Sequence, residues 1–348
     1  MKRTFHFAIP GDIATPTGGY AYARRLIEEL PAIGLEVEHV ALPDGFPFPD
    51  AAALAEARAR LAALPNGATV LVDGLAFGAM PEIARDLSRR LDLVALVHHV
   101  LADETGLLAQ TAISLEHSER AALAEARAVI CTSRNTARRL ADGFDIDRRR
   151  IAVAPPGTDR RPPARGSESG APVIASLGAL VPRKGHDVLL KALARLMHIP
   201  WTARIAGTPN RDPDWAATLR TLAHHLGLDE RVTFLGAVAD PDVELASADI
   251  FALASWHEGY GMAFAEALAH GLPVVGCDVG GVPEAVPEGA GSLVPAGDAN
   301  AFAAALAPLL ADPEFRRGRA DVARIASRAL PGWRETASII ARCLVGRG

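Results

Sequence analysis

The chain has 348 residues, of which 49% are hydrophobic and 22% are charged, a composition that fits more than one globular core and excludes a disordered chain. Its apolar runs are all too short to span a bilayer, and a net charge of −5 argues against a dedicated nucleic-acid binder. Cys131, Cys277 and Cys343 share no metal-binding or redox spacing, which indicates a reducing compartment without disulfides.

Residues 1–12 hold two basic side chains and only a short apolar stretch, so they make a poor secretory signal and a good first strand. We therefore expect a cytoplasmic protein. Arginines at positions 134, 138, 139 and 148–150 form a basic patch that would suit the anionic inner face of a membrane. However, residues 1–160 carry 18 basic and 21 acidic side chains, a net charge of −3. We interpret the patch as solvated surface and any membrane contact as peripheral.

Short β-branched or aliphatic runs alternate with helical patterns through the first half of the chain. Such runs between helices are typical of buried parallel strands. We predict strands over residues 4–10, 35–42, 68–72, 93–97, 128–132 and 151–154, and helices over residues 18–30 and 51–64, with further helical stretches between the later strands.

Residues 155–170 contain four prolines and three glycines, the signature of a linker. After it, strands are predicted over 172–177, 201–205, 232–235, 249–254 and 273–275, and helices over 186–197, 213–226, 262–270, 299–310, 313–329 and 333–344. A second break falls at Pro331-Gly332. The pattern predicts an α/β fold of two Rossmann-like, doubly wound domains, residues 1–157 and 158–331, facing a central cleft.

The strongest chemical signal is the sequence E-G-Y-G-M-A-F-A-E from Glu258 to Glu266, which follows a predicted strand and opens a helix. Ligands of open α/β sheets bind at the carboxyl ends of strands. Gly259 and Gly261, on either side of Tyr260, permit a tight turn there. Eight residues of helix separate the two glutamates by about 12 Å or less.

The start of this helix suits a diphosphate. Its free N–H groups, at Gly261, Met262 and Ala263, point beyond the helix, and the helix dipole favours an anion there. One carboxylate would then face a sugar and the other a ribose, because carboxylates accept strong hydrogen bonds from hydroxyl groups. The alternative is a glycine-rich turn followed by an exposed helical glutamate.

A second signal, Arg183-Lys184-Gly185, also follows a predicted strand. Two cations beside a glycine suit phosphate, with arginine as a fork and lysine as a point charge. Only three of the 36 basic residues are lysines, at positions 2, 184 and 191, so Lys184 is less easily explained as ordinary surface charge. The alternative is a solvated loop.

Weaker signals follow strands of the first half. Gly18 and Gly19 let the backbone approach a ligand closely, but they lack the G-x-G-x-x-G dinucleotide fingerprint. Of the histidine pair that begins at His98, only one side chain should face a ligand, because neighbours on an extended segment point opposite ways. A lone histidine is also common in cores and on surfaces. Asp73 and Glu104 hold similar positions.

Three D-x-D patterns, at residues 145–147, 212–214 and 240–242, resemble metal sites. None directly follows an apolar strand, and two contain a proline that suits the first turn of a helix. We interpret these aspartates as helix caps and predict no metal site.

Together, these residues resemble glycosyltransferase family 4, retaining enzymes of the GT-B architecture, over nearly the whole chain. Residues 255–275 resemble the family's E-x7-E motif and the strand after it. Residues 178–185 resemble its phosphate loop, Gly18-Gly19 its N-terminal glycine loop, and residues 280–284 its G-G-x-P-E turn. The last helix, within residues 332–348, looks like the one that crosses back to the first domain.

The resemblance implies an acceptor side in the first domain and a nucleotide-sugar site in the second. Lys184 and Arg183 would bind the donor phosphates, Glu258 the sugar and Glu266 the ribose, with the backbone at 261–263 on the diphosphate. His98 matches a histidine that the family uses near the transferred sugar.

One position departs from the family. Ala179 stands where members often have arginine. Arg183 either supplies the missing charge or leaves phosphate binding weaker than usual.

The implied activity is retaining, metal-independent and cofactor-free transfer from a UDP- or GDP-type sugar to a saccharide, lipid-linked or small-molecule acceptor. His98, Glu258, Lys184 and Arg183 would carry the catalysis, and no nucleic-acid partner is expected. The alternatives are a nucleotide-sugar epimerase or hydrolase on the same fold and a non-catalytic nucleotide-sugar-binding protein. A Rossmann oxidoreductase is disfavoured because its fingerprint is missing.

Overall fold

A computed structural model describes residues 3–167 and 170–345. The chain forms two compact units: unit 1 comprises the residues up to Gly157 together with those from Pro331 onward, and unit 2 is Thr158–Leu330. Within the described residues, each unit has one six-stranded parallel sheet with helices packed against it. The predicted α/β fold of two Rossmann-like domains is therefore confirmed.

The sheet of unit 1 has the strand order β2-β1-β3-β4-β5-β6. Its strands are β1 Arg3–Pro10, β2 Leu35–Leu42, β3 Thr69–Asp73, β4 Asp92–Val97, β5 Ala128–Cys131 and β6 Ile151–Val153. Central residues such as Leu71, Val94 and Leu96 are fully buried. A parallel sheet covered on both faces requires such continuous apolar runs, which is why they could be predicted.

Six helices connect these strands. They are α1 Gly18–Ala32, α2 Ala51–Ala62, α3 Gly74–Phe77, α4 Pro81–Leu87, α5 Ala109–Ala124 and α6 Arg134–Phe144. Thr17 caps α1 by accepting from the Tyr20 N–H, and Asp50 caps α2 by accepting from the Ala53 N–H at 2.8 Å. These caps satisfy backbone donors that have no partner inside the helix.

Unit 2 repeats the plan with the strand order β12-β11-β10-β7-β8-β9. Its strands are β7 Val173–Leu177, β8 Thr202–Ala206, β9 Val232–Gly236, β10 Ile250–Leu253, β11 Val274–Cys277 and β12 Gly291–Val294. Its helices are α7 His186–Ala194, α8 Pro213–His225, α9 Pro241–Ala246, α10 Met262–Ala269, α11 Val282–Ala285, α12 Ala299–Ala311 and α13 Pro313–Ser327. Phe251 and Ala252, neighbours on β10, belong to separate buried clusters, so both faces of the sheet are covered.

The strand orders locate a switch point in each sheet. In unit 2, β7 and β10 are neighbours, and the later strands run from β7 toward one edge of the sheet and from β10 toward the other. In unit 1, β1 and β3 form the corresponding pair. Ligands of open α/β sheets bind beyond the carboxyl ends of strands at such points. The sequence motifs follow these strands.

The last helix, α14 Trp333–Val345, belongs to unit 1. The Trp333 ring meets the Tyr22 ring edge-on with centroids 5.6 Å apart, and the Thr336 hydroxyl donates to the Pro155 carbonyl at 2.7 Å. The end of the predicted helix, residues 346–348, lies outside the described residues. Among the described helices, none combines the length and apolar character needed to cross a membrane.

Three elements were not predicted. The edge strand β12 has only four half-buried residues and begins with glycine, so its apolar signal is weak. The helices α3 and α11 have four residues each, fewer than are needed for a helical period to show.

The proline- and glycine-rich stretch predicted as a linker lies against unit 2 for most of its length. The Arg160 guanidinium donates to the Ser327 and Arg328 carbonyls at 2.7 and 2.8 Å, at the C-terminus of α13. The Ala164 N–H donates to the His270 carbonyl at 2.8 Å. Proline lacks an N–H and suits an irregular strap bound to a domain as well as a free linker. The composition of residues 155–170 therefore did not distinguish the two. Residues 168 and 169 lie outside the described part.

Candidate active site

Two loops meet at the switch point of unit 2. One follows β7 and contains a single turn of 3₁₀-helix, Pro182–Lys184, and the other follows β10 and ends at Gly261. The Trp256 N–H donates to the Arg183 carbonyl at 2.8 Å, which ties the loops together. A Cβ atom at Gly185 would lie 1.9 Å from the Ala254 carbonyl oxygen. Only glycine allows this approach.

The loops bring three predicted residues into one buried ion cluster. Lys184 Nζ lies 2.6 Å from Glu258 Oε1, and Arg183 Nη1 lies 3.5 Å from Glu258 Oε2. The Ser255 hydroxyl donates to Glu258 Oε1 at 2.7 Å, and Arg183 Nη1 donates to the His257 carbonyl at 2.9 Å. Each of the three charged side chains is less than one-fifth exposed.

The cluster carries a formal charge of +1. Burial acts to raise the pKa of Glu258, but the adjacent Lys184 and Arg183 outweigh it and hold that pKa at about 2. The carboxylate therefore stays ionised and offsets one of the two cations. One positive charge is left over, in a site where burial limits screening by water.

Helix α10 begins directly after this cluster. Gly261, its N-cap, has φ of 101°, a conformation that favours glycine, and no side chain caps the helix. The first N–H groups of a helix have no partner within it, so those at Met262 and Ala263 are positioned to bind an anion. The neighbouring Tyr260 is buried, which raises its pKa above the ordinary value.

Glu266 lies further along α10 in a different electrostatic setting. Its half-buried carboxylate accepts no hydrogen bond from any described residue. Burial, and secondly the negative charge of Asp242, raise the pKa of Glu266 to about 7. Asp242 in turn lies 3.0 Å from His270 Nε2 and 2.6 Å from Arg161 Nη2.

In unit 1, the switch point brings together the glycine loop and the predicted histidine. A Cβ atom at Gly19 would lie 3.5 Å from the His98 ring, in ordinary van der Waals contact, so the glycine loop lies beside the imidazole. Asp73 Oδ2 lies 3.3 Å from His98 Nε2, while Asp73 Oδ1 accepts from the Leu75 N–H at 2.9 Å and caps α3. His98 Nε2 is buried and has no hydrogen-bond partner among the described residues.

Each predicted D-x-D pattern supplies one helix cap. Asp147 and Asp212 accept from backbone N–H groups at helix starts, and Asp240 caps α9 by accepting from the Asp242 N–H at 3.0 Å. Within residues 3–167 and 170–345, no three histidine, cysteine, aspartate or glutamate side chains are grouped as metal ligands would be.

Two family models match consecutive parts of the sequence. The model for group 1 glycosyl transferases matches residues 158–325, and the model for glycosyltransferase family 4 matches residues 77–161. The chain therefore resembles glycosyltransferase family 4 over residues 77–325. The first match covers the ion cluster and α10, and the second covers His98.

The curated relatives are also named as glycosyltransferases. The chain is 35% identical to D-inositol 3-phosphate glycosyltransferase of Nocardia farcinica over 275 residues, 71% of this chain and 60% of that relative. It spans 48% and 46% of two Corynebacterium relatives of the same name, so it covers less than two thirds of all three.

Solved structures show the same fold at low identity. Sucrose-phosphate synthase from Thermosynechococcus elongatus superposes with a TM-score of 0.80 at 22% identity, over 97% of both chains. HepE from Anabaena, solved with UDP and glucose, superposes with a TM-score of 0.74 at 19% identity, over 98% of this chain and 99% of that one.

The structure groups the predicted residues by unit. Gly18, Gly19 and His98 lie in unit 1, and the residues from Arg183 to Glu266 lie in unit 2. In the sequence, Asp73 gave only a weak signal, and residues 240–242 were interpreted only as a helix cap. The position of Asp242 near Glu266 was therefore missed. One signal could have found it: His270, its partner, follows Glu266 by four residues, the spacing that places two side chains on one face of a helix.

Proposed function

We propose that the chain is a retaining, metal-independent glycosyltransferase that uses a nucleoside diphosphate sugar as donor. The observation that carries this proposal is the ion cluster of Arg183, Lys184 and Glu258 beside the uncapped start of α10. Its net charge of +1 and the helix terminus, worth about +0.5, both favour a diphosphate. The names of the curated relatives support glycosyl transfer.

The proposed reaction needs little beyond positioning and charge. The bond between the anomeric carbon and the diphosphate oxygen breaks, the acceptor oxygen bonds to that carbon on the same face, and the acceptor proton leaves with the diphosphate. Lys184, Arg183 and the α10 N–H groups would stabilise the negative charge that develops on the leaving group. The chain would supply this stabilisation from its own fixed charges, without a metal ion.

The remaining residues would position the donor and acceptor. Glu258, kept ionised by its cations, would accept hydrogen bonds from the sugar hydroxyls, and Glu266 from the ribose. Arg183, whose guanidinium belongs to the cluster, would replace the arginine missing at Ala179. His98, in unit 1, would face the transferred sugar. The donor could be of the UDP or the GDP type, since HepE was solved with UDP and a mannosyltransferase relative is named as GDP-mannose-dependent.

A donor screen tests the proposal first. Thermal unfolding is measured with UDP- and GDP-sugars, because a ligand that binds the folded chain stabilises it by mass action. We expect one nucleotide series to raise the Tm of the wild type and of Lys191→Ala, to raise that of Lys184→Ala nearly as much, and to have a smaller effect on Glu266→Gln, which would lose a hydrogen bond to the ribose. Lys191 is the matched control, since it is an exposed lysine paired with Asp187 on α7. If no nucleotide sugar stabilised the wild type, the proposal would be wrong.

Product analysis then separates the alternatives. Transfer should require an acceptor, retain the anomeric configuration and continue in EDTA. A free sugar or an epimerised donor formed without acceptor would favour the hydrolase or epimerase, and binding without turnover would favour the non-catalytic protein. Activity that is lost in EDTA and restored by Mn²⁺ would contradict the metal-independent mechanism.

A further inference from the structure

The carboxyl edge of the unit 1 sheet is acidic around its switch point. The loops and strand ends that follow β1, β2, β3 and β4 carry Asp12, Asp44, Asp73 and Glu104 respectively. These strands are neighbours in one parallel sheet, so their carboxyl ends lie along one edge. Under the proposed function this edge is the acceptor side, because His98 and the Gly18-Gly19 loop belong to it.

Two of these carboxylates are exposed to an incoming ligand. The Asp44 carboxylate makes no hydrogen bond or ion pair with any described residue, and its Oδ1 would lie 2.6 Å from a Cβ atom at Gly11. It therefore lies directly over the start of the glycine loop. Asp12, in that loop, is also exposed, and among the described residues its carboxylate accepts only from the Ala14 N–H, at 2.8 Å.

The other two carboxylates face histidines. Asp73 lies 3.3 Å from His98, and Glu104 lies 3.6 Å from His99. Even if both imidazoles carried a proton, the charge of Asp12 and Asp44 would remain. The N-terminus of α1 offers only about half a positive charge against them.

Two arginines of unit 1, Arg24 and Arg139, are bound to other groups. The Arg24 guanidinium donates to the Ile13 and Thr15 carbonyls and so supports the glycine loop. Arg139 is held by Asp103 and Glu116, at 3.4 and 3.0 Å. Arg134, the first residue of α6, follows β5 rather than the switch-point strands.

We propose that this edge selects a polyhydroxylated acceptor that carries no phosphate or other anionic group. The inference rests on the proposed function and names its acceptor class. Asp12 and Asp44 would accept hydrogen bonds from hydroxyl or amine groups, whereas a phosphate, with a charge near −2, would meet like charge. The relatives named D-inositol 3-phosphate glycosyltransferases would then differ from this chain in acceptor.

Matched acceptor pairs test the proposal: myo-inositol against inositol 3-phosphate, and glucosamine against glucosamine 6-phosphate, with the donor found in the nucleotide screen. We expect kcat/KM to be at least about tenfold higher for the unphosphorylated member of any pair that is used, as like-charge repulsion in a binding site implies. A preference for the phosphorylated member would overturn the proposal, most directly if Arg134→Ala removed that preference. Nucleotide binding without acceptor is measured alongside, so that failure of the donor site is recognised separately.

A charge reversal keeps the proposal testable whichever acceptor is found. Asp44→Lys should shift the ratio of kcat/KM values toward the phosphorylated member by about tenfold, because an attractive charge replaces a repulsive one. Glu28→Lys makes the same charge change on an exposed face of α1, ten residues after the helix start, and should leave the ratio unchanged. An unchanged ratio in Asp44→Lys, or an equal shift in Glu28→Lys, would contradict the proposed role of this edge.

Discussion

Lys184 Nζ lies 2.6 Å from Glu258 Oε1, so the cation proposed for the donor phosphate is held by the carboxylate proposed for the donor sugar. The pair spans the two loops at the switch point of unit 2. A buried charge that loses its partner is costly, typically about 3–5 kcal/mol. The arrangement therefore keeps Lys184 ordered without a ligand, and an arriving diphosphate would meet a preorganised cation.

Removing Lys184 should affect turnover more than donor binding. The charge it faces grows as the nucleoside diphosphate leaves, so its interaction strengthens in the transition state. We predict that Lys184→Ala lowers kcat about 10²-fold or more, comparable to the loss of one oxyanion-hole donor, whereas Lys191→Ala keeps wild-type kinetics. Steady-state kinetics with varied donor, on variants shown to be folded, measures this. An effect on KM alone would exclude Lys184 from the leaving-group site.

Variants of Arg183 test whether this residue replaces the arginine that family members often have at the position of Ala179. Its guanidinium belongs to the cluster, at 3.5 Å from Glu258. We predict that Arg183→Ala lowers kcat in the same direction as Lys184→Ala, and that Arg183→Lys recovers part of the loss because it restores the charge without the fork. The same kinetic assay applies. Near-neutral behaviour of Arg183→Ala would show that this arginine does not replace the missing one.

The pKa of Glu258 predicts a loss of stability in acid. An ordinary glutamate pKa of 4.5 is lowered to about 2 in the folded chain, so the folded state binds its proton less readily than the unfolded state. The stabilisation, on the order of 3 kcal/mol, is present above pH 4.5 and is lost as the pH falls toward 2. Denaturant unfolding at pH 6, 4.5 and 3 should therefore show a narrowing gap between wild type and Glu258→Gln.

Much of this cluster could be predicted because its signals are local. Residues 183–185 and 258–266 each follow an apolar strand, and cations, glycines and carboxylates at strand ends are recognisable in isolation. Their pairing could not be predicted, because it depends on β7 and β10 being neighbours although about 75 residues separate them.

The surroundings of Glu266 show the same limit. Asp242 looked like part of a helix cap, and only the packing of α9 near α10 brings it to His270 and to the electrostatic environment of Glu266. Local spacing carries no information about such tertiary contacts. The strap from residue 158 to 167 is a further case, since hydrogen bonds to distant carbonyls distinguish it from a free linker.

Glu266 should make nucleotide binding depend on pH near neutrality. Its pKa is raised from 4.5 to about 7, and a proposed ribose acceptor works best when ionised. We predict that nucleotide affinity rises as the pH increases through about 7. Glu266→Gln should raise donor KM about tenfold, for one weakened charge-assisted hydrogen bond, and should flatten the profile. Asp242→Asn removes a neighbouring negative charge and should move the midpoint to lower pH.

The control for that profile is Asp229→Asn, which removes an exposed carboxylate paired with His224 in the same unit. Calorimetric Kd values from pH 5.5 to 8.5 give the curve for each variant. A profile in Glu266→Gln identical to that of the wild type would assign the pH dependence to another group.

Asp73 should act on the reaction through His98. Its Oδ2 lies beside the imidazole while Oδ1 caps α3, and asparagine preserves the cap but removes the charge. We predict that Asp73→Asn lowers kcat about tenfold and changes its pH profile, with donor KM nearly unchanged, because the charge of a carboxylate 3.3 Å away acts electrostatically on the imidazole. Asp50→Asn is the matched control, since Asp50 also caps a helix of unit 1, α2, and forms no ion pair with a histidine among the described residues. If Asp73→Asn altered stability but not the pH profile, Asp73 would act only as a helix cap. If Asp73→Asn caused no further loss of kcat in a chain that already carries His98→Ala, the two residues would act as one unit.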